Sequence, residues 1–183
     1  MPAPRRAQAI YAATLEQLTE HGYEAMTIEG IAAAAGVNKT TIYRWWPGKD
    51  ALLGAAVREA DTIEFPDADT GTLRGDLVAA LGGIARILES EVGRQLVAGA
   101  IARGNPQITA VTRQFLTDRL RREQAVLDRA HARGELAEPV AAERLFHPAV
   151  GALWIRLLAL GEPATPEYLH ALVEDLLTGV VAR

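Results

Sequence analysis

Apolar residues recur along most of the chain at the three- and four-residue spacing of helices that bury one face. No stretch alternates with period two as a half-buried strand would. The first helix is predicted over 5–21, with Gly22 as its C-terminal stop. Thr27 is placed to cap a short second helix that ends at Gly36. The chain therefore begins as a series of short helices separated by glycine turns.

The third and fourth predicted helices follow without a long loop. Asn38 can cap a helix over about 39–45, and Pro47 ends it because proline disfavours helical geometry in the residue before it. The fourth helix starts after Gly48 and runs to about residue 62.

The acidic, turn-rich stretch "EFPDADTGT" at 64–72 marks the predicted boundary between two domains, 1–62 and 73–183. The second domain is predicted to contain only helices. These cover about 73–88 and 91–103, then 106 to Arg133, a segment opened by Pro139 that Pro148 breaks or kinks, and a last helix from Thr165 to about 181. The predicted fold is all-α, with about nine helices.

Composition removes several classes of protein. The chain has 183 residues, 49% of them hydrophobic, and no window approaches the roughly 18 uninterrupted apolar residues of a membrane helix. The absence of cysteine excludes disulfides, thiolate nucleophiles and cysteine metal sites. The basic first residues precede polar helical sequence rather than a signal-peptide core. We expect a cytoplasmic protein with no membrane segment.

The sequence offers little for catalysis. Ser90 is the only serine and lies between two glutamates, where a helix break is the simpler interpretation. The glycines of the chain do not have the spacing of a phosphate-binding loop. The histidines are widely separated and lack metal-ligand spacing; they are His21, His131, His147 and His170. We therefore expect no enzyme activity, no cofactor and no metal.

One stretch concentrates unusual residues: "VNKTTIYRWWPGKD" at 37–50 contains both lysines of the chain and two of its three tryptophans. Three positive charges and no negative one lie between Val37 and Lys49, although the net charge is −4. At 100° per residue Ile42 and Trp46 share one helix face, so we interpret Trp46 as a core residue. The opposite side carries Thr40, Thr41 and Arg44, with Tyr43 and Trp45 on the flanks.

Two short helices joined by a glycine turn, the second with exposed polar and basic residues, match a helix-turn-helix that reads the major groove. An ordinary helical corner with solvated charges is the alternative. Lys49 lies in the first turn of a helix, where the macrodipole disfavours a cation and a nearby phosphate would favour it.

"TIEGIAAAAGVNKTTIYRWWPGKDALLGAAV" at 27–57 resembles the DNA-binding domain of the TetR family of bacterial transcriptional repressors, and with the preceding helix the resemblance covers about 8–57. The rest of the chain is similar only in kind, as an all-helical ligand-binding and dimerisation domain. The resemblance implies a three-helix helix-turn-helix module and a homodimer that binds a partly palindromic DNA operator and is released by a small-molecule effector. The remaining alternative is a helical partner-binding protein that retains the fold without sequence-specific DNA binding.

The resemblance also implies roles for individual residues. It places Thr27, Tyr43 and Lys49 on phosphates and residues 37–41 at the groove. The full set of implied DNA-binding residues is Thr27, Val37, Asn38, Lys39, Thr40, Thr41, Tyr43, Arg44, Trp45 and Lys49. Two positions depart from the family pattern. Thr40 stands where glycine is common, and Trp45 replaces the usual Tyr or His with an indole that donates a hydrogen bond but cannot accept one.

The second domain offers candidates for two further sites. An effector pocket with a polar end is predicted from Phe146, His147, Trp154 and Arg156, although core or dimer contacts for the aromatic residues and a local cap for His147 are the alternative. Leucines at helical spacing in the last two helices predict a two-fold four-helix bundle between two copies. The dimerisation candidates are Leu157, Leu158, Leu169, Leu172, Leu176 and Val180.

Overall fold

A computed structural model of the protein describes residues 6–59, 69–101 and 106–178, and these ranges contain nine α-helices and no strand. The helices are α1 (Ala7–Ala25), α2 (Ile28–Ala34), α3 (Lys39–Trp45), α4 (Lys49–Glu59), α5 (Leu73–Glu89), α6 (Glu91–Ile101), α7 (Pro106–Ala132), α8 (Ala142–Trp154) and α9 (Pro166–Thr178), with a π-helical turn (Ile155–Ala159) after α8. The predicted all-α fold is confirmed. The predicted helix ends near 62, 103 and 181 lie outside the described residues.

The chain divides into two compact units. The first consists of Met1–Glu64 and Glu91–Leu116, and the second of Phe65–Ser90 and Thr117–Arg183. Packing thus groups α6 and the start of α7 with α1–α4, although they follow the sequence boundary at 64–72. The assignment of DNA binding to 1–62 and of effector binding to 73–183 divides the chain by activity, and it stays a prediction.

In the first unit, α1 packs against α2, α4 and α6. The geometry of α1 is interrupted at Gly22, which has φ 72°, and this agrees with the stop predicted there. One buried apolar face from each helix forms the core. Its fully buried side chains include Ile10, Leu18, Ile31, Ile42, Leu52 and Leu53. These contacts fix α2 on α1 and α3 on α2.

In the second unit, α5 packs against α8, α9 and the π-helical turn. Buried Leu77 and Leu81 come from α5, Phe146 and Leu153 from α8, and Val173 from α9. None of the helices in the described part of the chain has the length and apolar composition needed to cross a membrane.

A polar cluster joins the start of α5 to the residues that follow α7. The fully buried Asp76 carboxylate accepts hydrogen bonds from the backbone N–H (2.6 Å) and hydroxyl (2.9 Å) of Thr70, and from Arg133 Nη2 (2.9 Å). Glu135 accepts from the backbone N–H of Leu73 at 2.7 Å and from Arg133 Nε at 2.6 Å. Burial raises the pKa of Asp76, but the Thr70 and Arg133 hydrogen bonds outweigh it, so this pKa lies below its usual value. The carboxylate is therefore ionised and structural.

The predictions for the α8 region were wrong about where the helix begins and about a break at Pro148. The helix begins at Ala142 rather than at Pro139, and it continues through Pro148 to Trp154 instead of breaking there. Proline in a helix interior removes one backbone hydrogen bond. Buried side chains on both sides of Pro148, Phe146 before it and Leu153 after it, fix the helix in the core, while the proline itself is exposed. Tertiary packing overrides the local preference here.

Candidate nucleic-acid interface

The turn between α2 and α3 depends on Gly36. Its φ of 62° lies in the left-handed region, which glycine adopts without the steric cost that a Cβ would bring. The N–H of Gly36 donates to Ala33 O (3.2 Å) and that of Val37 to Ala32 O (2.9 Å), which closes the end of α2. Arg6 Nη1 donates to Gly36 O at 3.0 Å and anchors the turn to the start of α1.

Side chains cap both helices of the motif as the sequence predicts. The Thr27 hydroxyl accepts from Gly30 N at 3.0 Å, and the Asn38 carbonyl oxygen accepts from Thr40 N at 2.9 Å. The Thr40 hydroxyl also donates to Asn38 Oδ1 at 2.9 Å. Thr27 and Asn38 therefore both fix helix starts, and Thr40, where the family commonly has glycine, reinforces the second cap.

The inner face of α3 is apolar. Ile42 is fully buried and Trp46 is 8% exposed, as predicted from the helical phase. Trp46 has extended backbone geometry at the end of α3, and its ring meets the Tyr11 ring edge-on, with centroids 5.6 Å apart and planes at 70°. The predicted core role of Trp46 is confirmed, with Tyr11 of α1 as an aromatic partner.

The outer face of α3 carries the polar and basic residues of the motif. Tyr43 is 49% exposed, a high value for an aromatic side chain, and Arg44 beside it is also exposed. Among the described residues, Arg44 contacts neither an acidic side chain nor a carbonyl. Of the other predicted DNA-binding residues, Thr27, Asn38, Lys39 and Thr40 are exposed, whereas Val37, Thr41, Trp45 and Lys49 are half-buried. The outer face of α3 therefore exposes polar, aromatic and basic side chains, among them Tyr43 and Arg44.

Lys39 has an acidic neighbour that the sequence did not indicate. Its ammonium lies 3.1 Å from Glu29 Oε1 of α2, on the protein surface. The hydrogen bond from Lys39 lowers the pKa of Glu29. The positive charge of the motif is therefore partly offset at Lys39, which leaves Arg44 as the uncompensated cation of α3.

The structure gives Lys49 a second role. Its ammonium donates to three carbonyls at the end of α1, those of Tyr23 (2.8 Å), Glu24 (3.3 Å) and Met26 (3.3 Å). It also lies 4.4 Å from the centre of the Tyr23 ring, and the Tyr23 hydroxyl donates to Asp50. The C-terminal carbonyls of a helix carry partial negative charge and stabilise a cation, whereas the N-terminus carries partial positive charge and destabilises one. Lys49 therefore joins the start of α4 to the end of α1.

The four residues predicted for an effector pocket occupy different environments. Phe146 is fully buried, its neighbour His147 is exposed, and Trp154 is half-buried. Arg156 interacts with the loop after α8, since Nε donates to Pro163 O at 2.7 Å, Nη1 lies 3.0 Å from Glu162 Oε2, and the guanidinium is 4.1 Å from the Tyr168 ring. Their role in ligand binding stays a prediction.

The predicted dimerisation residues also differ in exposure. Leu169 is only 8% exposed in a single chain, where it faces Gly82 of α5, so little of it remains for a partner. Leu157, Leu158, Leu172 and Leu176 are half-buried, and Val180 lies outside the described residues. The most exposed large apolar side chains of this region are Ile155 (61%) and Leu160 (62%). Leu160 belongs to the leucine pattern that predicts the bundle, whereas Ile155 does not. Both flank the predicted leucines.

Comparison with known proteins covers both units. The family model described as "Bacterial regulatory proteins, tetR family" matches residues 10–56, and the one described as "Tetracyclin repressor-like, C-terminal domain" matches residues 67–176. In the described ranges no group of three or more histidine, aspartate or glutamate side chains could hold a metal ion.

Named relatives agree with the family models. The DNA-binding transcriptional repressor TetR of Mycobacteroides abscessus is 33% identical, covering 94% of this chain and 92% of its own length. An uncharacterized HTH-type transcriptional regulator of Mycobacterium tuberculosis is 32% identical over 99% of this chain and 90% of its own. The crystal structure of the TetR family transcription regulator SCO0332 is 32% identical with a TM-score of 0.68, covering 97% of this chain and 98% of that one. The exposed helix-turn-helix, the two family models and these relatives lead to one conclusion: the chain belongs to the TetR family and is a transcriptional regulator rather than an enzyme.

Proposed function

We propose that the protein is a cytoplasmic repressor that binds a partly palindromic operator as a homodimer and leaves it when a small-molecule effector binds the larger helical domain. The observation that carries this proposal is the pair of faces on α3. The inner face is buried through Ile42, while the outer face exposes Tyr43 and Arg44. A recognition helix needs such an arrangement, because its fold must not depend on the side chains that meet DNA.

The residues of the motif divide into two groups by position. Thr27, Tyr43 and Lys49 lie at the edges of the motif, where contacts to phosphate fix the position of the protein without reading sequence. Thr41 and Arg44 lie opposite the buried Ile42, which places them best to reach base edges. Arginine can pair bidentately with guanine, and this contact discriminates against other bases.

Arg44→Ala is expected to flatten the base preference at one or two positions of each operator half-site. Loss of a bidentate arginine contact should remove about 1–3 kcal/mol of discrimination there. Selection from a random DNA library followed by salt-titrated binding measures both the preference and its salt dependence. Arg86→Ala is the matched control, because Arg86 is exposed on α5 and its loss should leave the preferred sequence unchanged.

The same experiment tests the alternative, a partner-binding protein that kept the fold. If binding is sequence-specific, a small set of DNA fragments with related sequences should remain bound to the protein as the salt concentration rises. Uniform weak binding that disappears as salt increases would contradict the repressor function and favour the alternative.

The dimer is supported by the apolar surface at the end of α8 and on α9. Ile155 and Leu160 are well exposed, and the half-buried leucines Leu157, Leu158, Leu172 and Leu176 lie along the same segments. Two copies related by a two-fold axis could cover this surface as a four-helix bundle. Their recognition helices would then be about one DNA turn apart, roughly 34–36 Å. Light scattering at micromolar concentration should give twice the 19.7 kDa chain mass, and a monomer would contradict the proposal.

Release by an effector requires that the ligand favours a conformation in which the recognition helices no longer match the operator. By linkage, operator DNA must then weaken ligand binding by the same factor that the ligand weakens DNA binding. Thermal-shift screening of metabolites and antibiotics, with operator release as the second readout, identifies compounds that satisfy both conditions.

A further inference from the structure

The part of α7 that belongs to the second unit buries two opposite charges on one face. Arg119 is 8% exposed and Glu123 is 5% exposed, and they are four residues apart, one helical turn. Arg119 Nε donates to Glu123 Oε1 at 2.6 Å. Apolar residues continue the same side of the helix at Val126, Leu127 and Ala130, all buried. The pair is thus part of an apolar stripe rather than of a solvated face.

This ion pair is incomplete. Glu123 Oε2 is buried, and no hydrogen-bond donor in the described residues reaches it. A buried ion pair offsets its desolvation only when the remaining lone pairs are also satisfied, and a buried acceptor without a donor is rare in native proteins. If the pair served stability alone, two apolar residues of similar volume would serve as well or better. The unmatched oxygen therefore points to a second binding partner.

The surroundings hold Glu123 in place. The next residue, Gln124, donates to Val140 O at 3.1 Å and accepts from Ala142 N at 2.9 Å, which ties this turn of α7 to the start of α8. Burial raises the pKa of Glu123, while the charges of Arg119 and His147 oppose this change.

We propose that Arg119 and Glu123 form the polar anchor of the effector site, and that Glu123 Oε2 accepts a hydrogen bond from a hydroxyl or ammonium group on a largely apolar effector. The buried Val126 and Leu127 make the surroundings of the anchor apolar, and Arg119 fixes the orientation of the carboxylate. The inference rests on the proposed effector control and names the chemical class of the effector. Its test uses no DNA, so its failure is distinguishable from a failure of the repressor function.

The test measures binding of four probes with the same ten-carbon chain to the full-length protein by calorimetry: 1-decanol, decylamine, decyl methyl ether and decanoate. The alcohol or the amine should bind about tenfold or more tightly than the ether, because only these two donate to a charged acceptor. Whichever of the two binds more tightly identifies the donor. Equal binding of the alcohol, amine and ether, tightest binding by decanoate, or no binding of any probe would each overturn the proposal.

Two variants locate the effect at the pair. In Glu123→Gln the amide oxygen can keep the Arg119 hydrogen bond. The NH2 group then takes the place of the unmatched oxygen and donates instead of accepting. The alcohol or amine should therefore no longer bind more tightly than the ether. Glu143→Gln makes the same change at an exposed position of α8. It should leave the tighter binding of the alcohol or amine relative to the ether unchanged. The double variant Arg119→Met, Glu123→Met keeps volume without charge, so it should fold and bind the alcohol, amine and ether equally. A donor preference that survives in either Glu123 variant would overturn the proposal.

Discussion

Trp46→Ala is expected to lower the free energy of unfolding by about 3–5 kcal/mol, the usual cost of truncating a buried tryptophan. Trp46 is 8% exposed and packs edge-on against Tyr11, so its removal leaves a cavity between α3 and α1. The neighbouring Trp45→Ala should cost much less stability than Trp46→Ala and should weaken DNA binding, because Trp45 is only half-buried at the border of the outer face.

Urea unfolding followed by circular dichroism measures the first effect, and operator binding at fixed salt measures the second. Both variants remove one indole from adjacent positions, so each is the control for the other. If Trp45→Ala unfolded the motif while Trp46→Ala only weakened DNA binding, the phase of α3 on its core would be wrong and the two roles would be exchanged.

Local rules were sufficient for the helix-turn-helix. Thr27 and Asn38 cap their helices where the sequence places them, and Gly36 closes the turn with positive φ. The helical phase also separated Trp46 from Trp45, because a 100° step leaves only one of two adjacent residues on the buried face. These features depend on neighbours within four residues, which the sequence shows directly.

Features that depend on distant residues could not be predicted in this way. Pro148 stops a helix by local rules, yet α8 continues because its buried face packs in the core on both sides of the proline. Leu169 belonged to an apolar pattern that fits a dimer, but α5 covers it within one chain. Spacing identifies an apolar face and does not say which element covers it.

The buried pair on α7 was missed although a signal existed. Arg119 and Glu123 have the i, i+4 spacing that is typical of solvated ion pairs on a long exposed helix, so this spacing alone does not reveal that they are buried. Projection of Val126, Leu127 and Ala130 back along the helix places both charges on the apolar side. A charged residue in phase with an apolar stripe therefore indicates a charge that is buried in the folded chain.

Lys49 is another residue whose contacts could not be predicted from its neighbours. Its carbonyl partners at the end of α1 are 23 to 26 residues away in sequence. Lys49→Met should destabilise the protein by about 2 kcal/mol, since it removes a charged donor from partly buried carbonyls. It should also weaken binding to all DNA sequences alike and reduce the salt slope by about one phosphate equivalent, as expected for a phosphate contact.

Lys49→Arg separates these two effects. Arginine keeps the charge near the phosphate, so the salt slope should stay near that of the unchanged protein. Its planar guanidinium cannot replace a compact ammonium among three carbonyls, so stability should still fall. The measurements are urea unfolding and operator binding across a salt series. An unchanged salt slope in Lys49→Met would show that the ammonium serves only the end of α1, and it would remove Lys49 from the set of phosphate-binding residues.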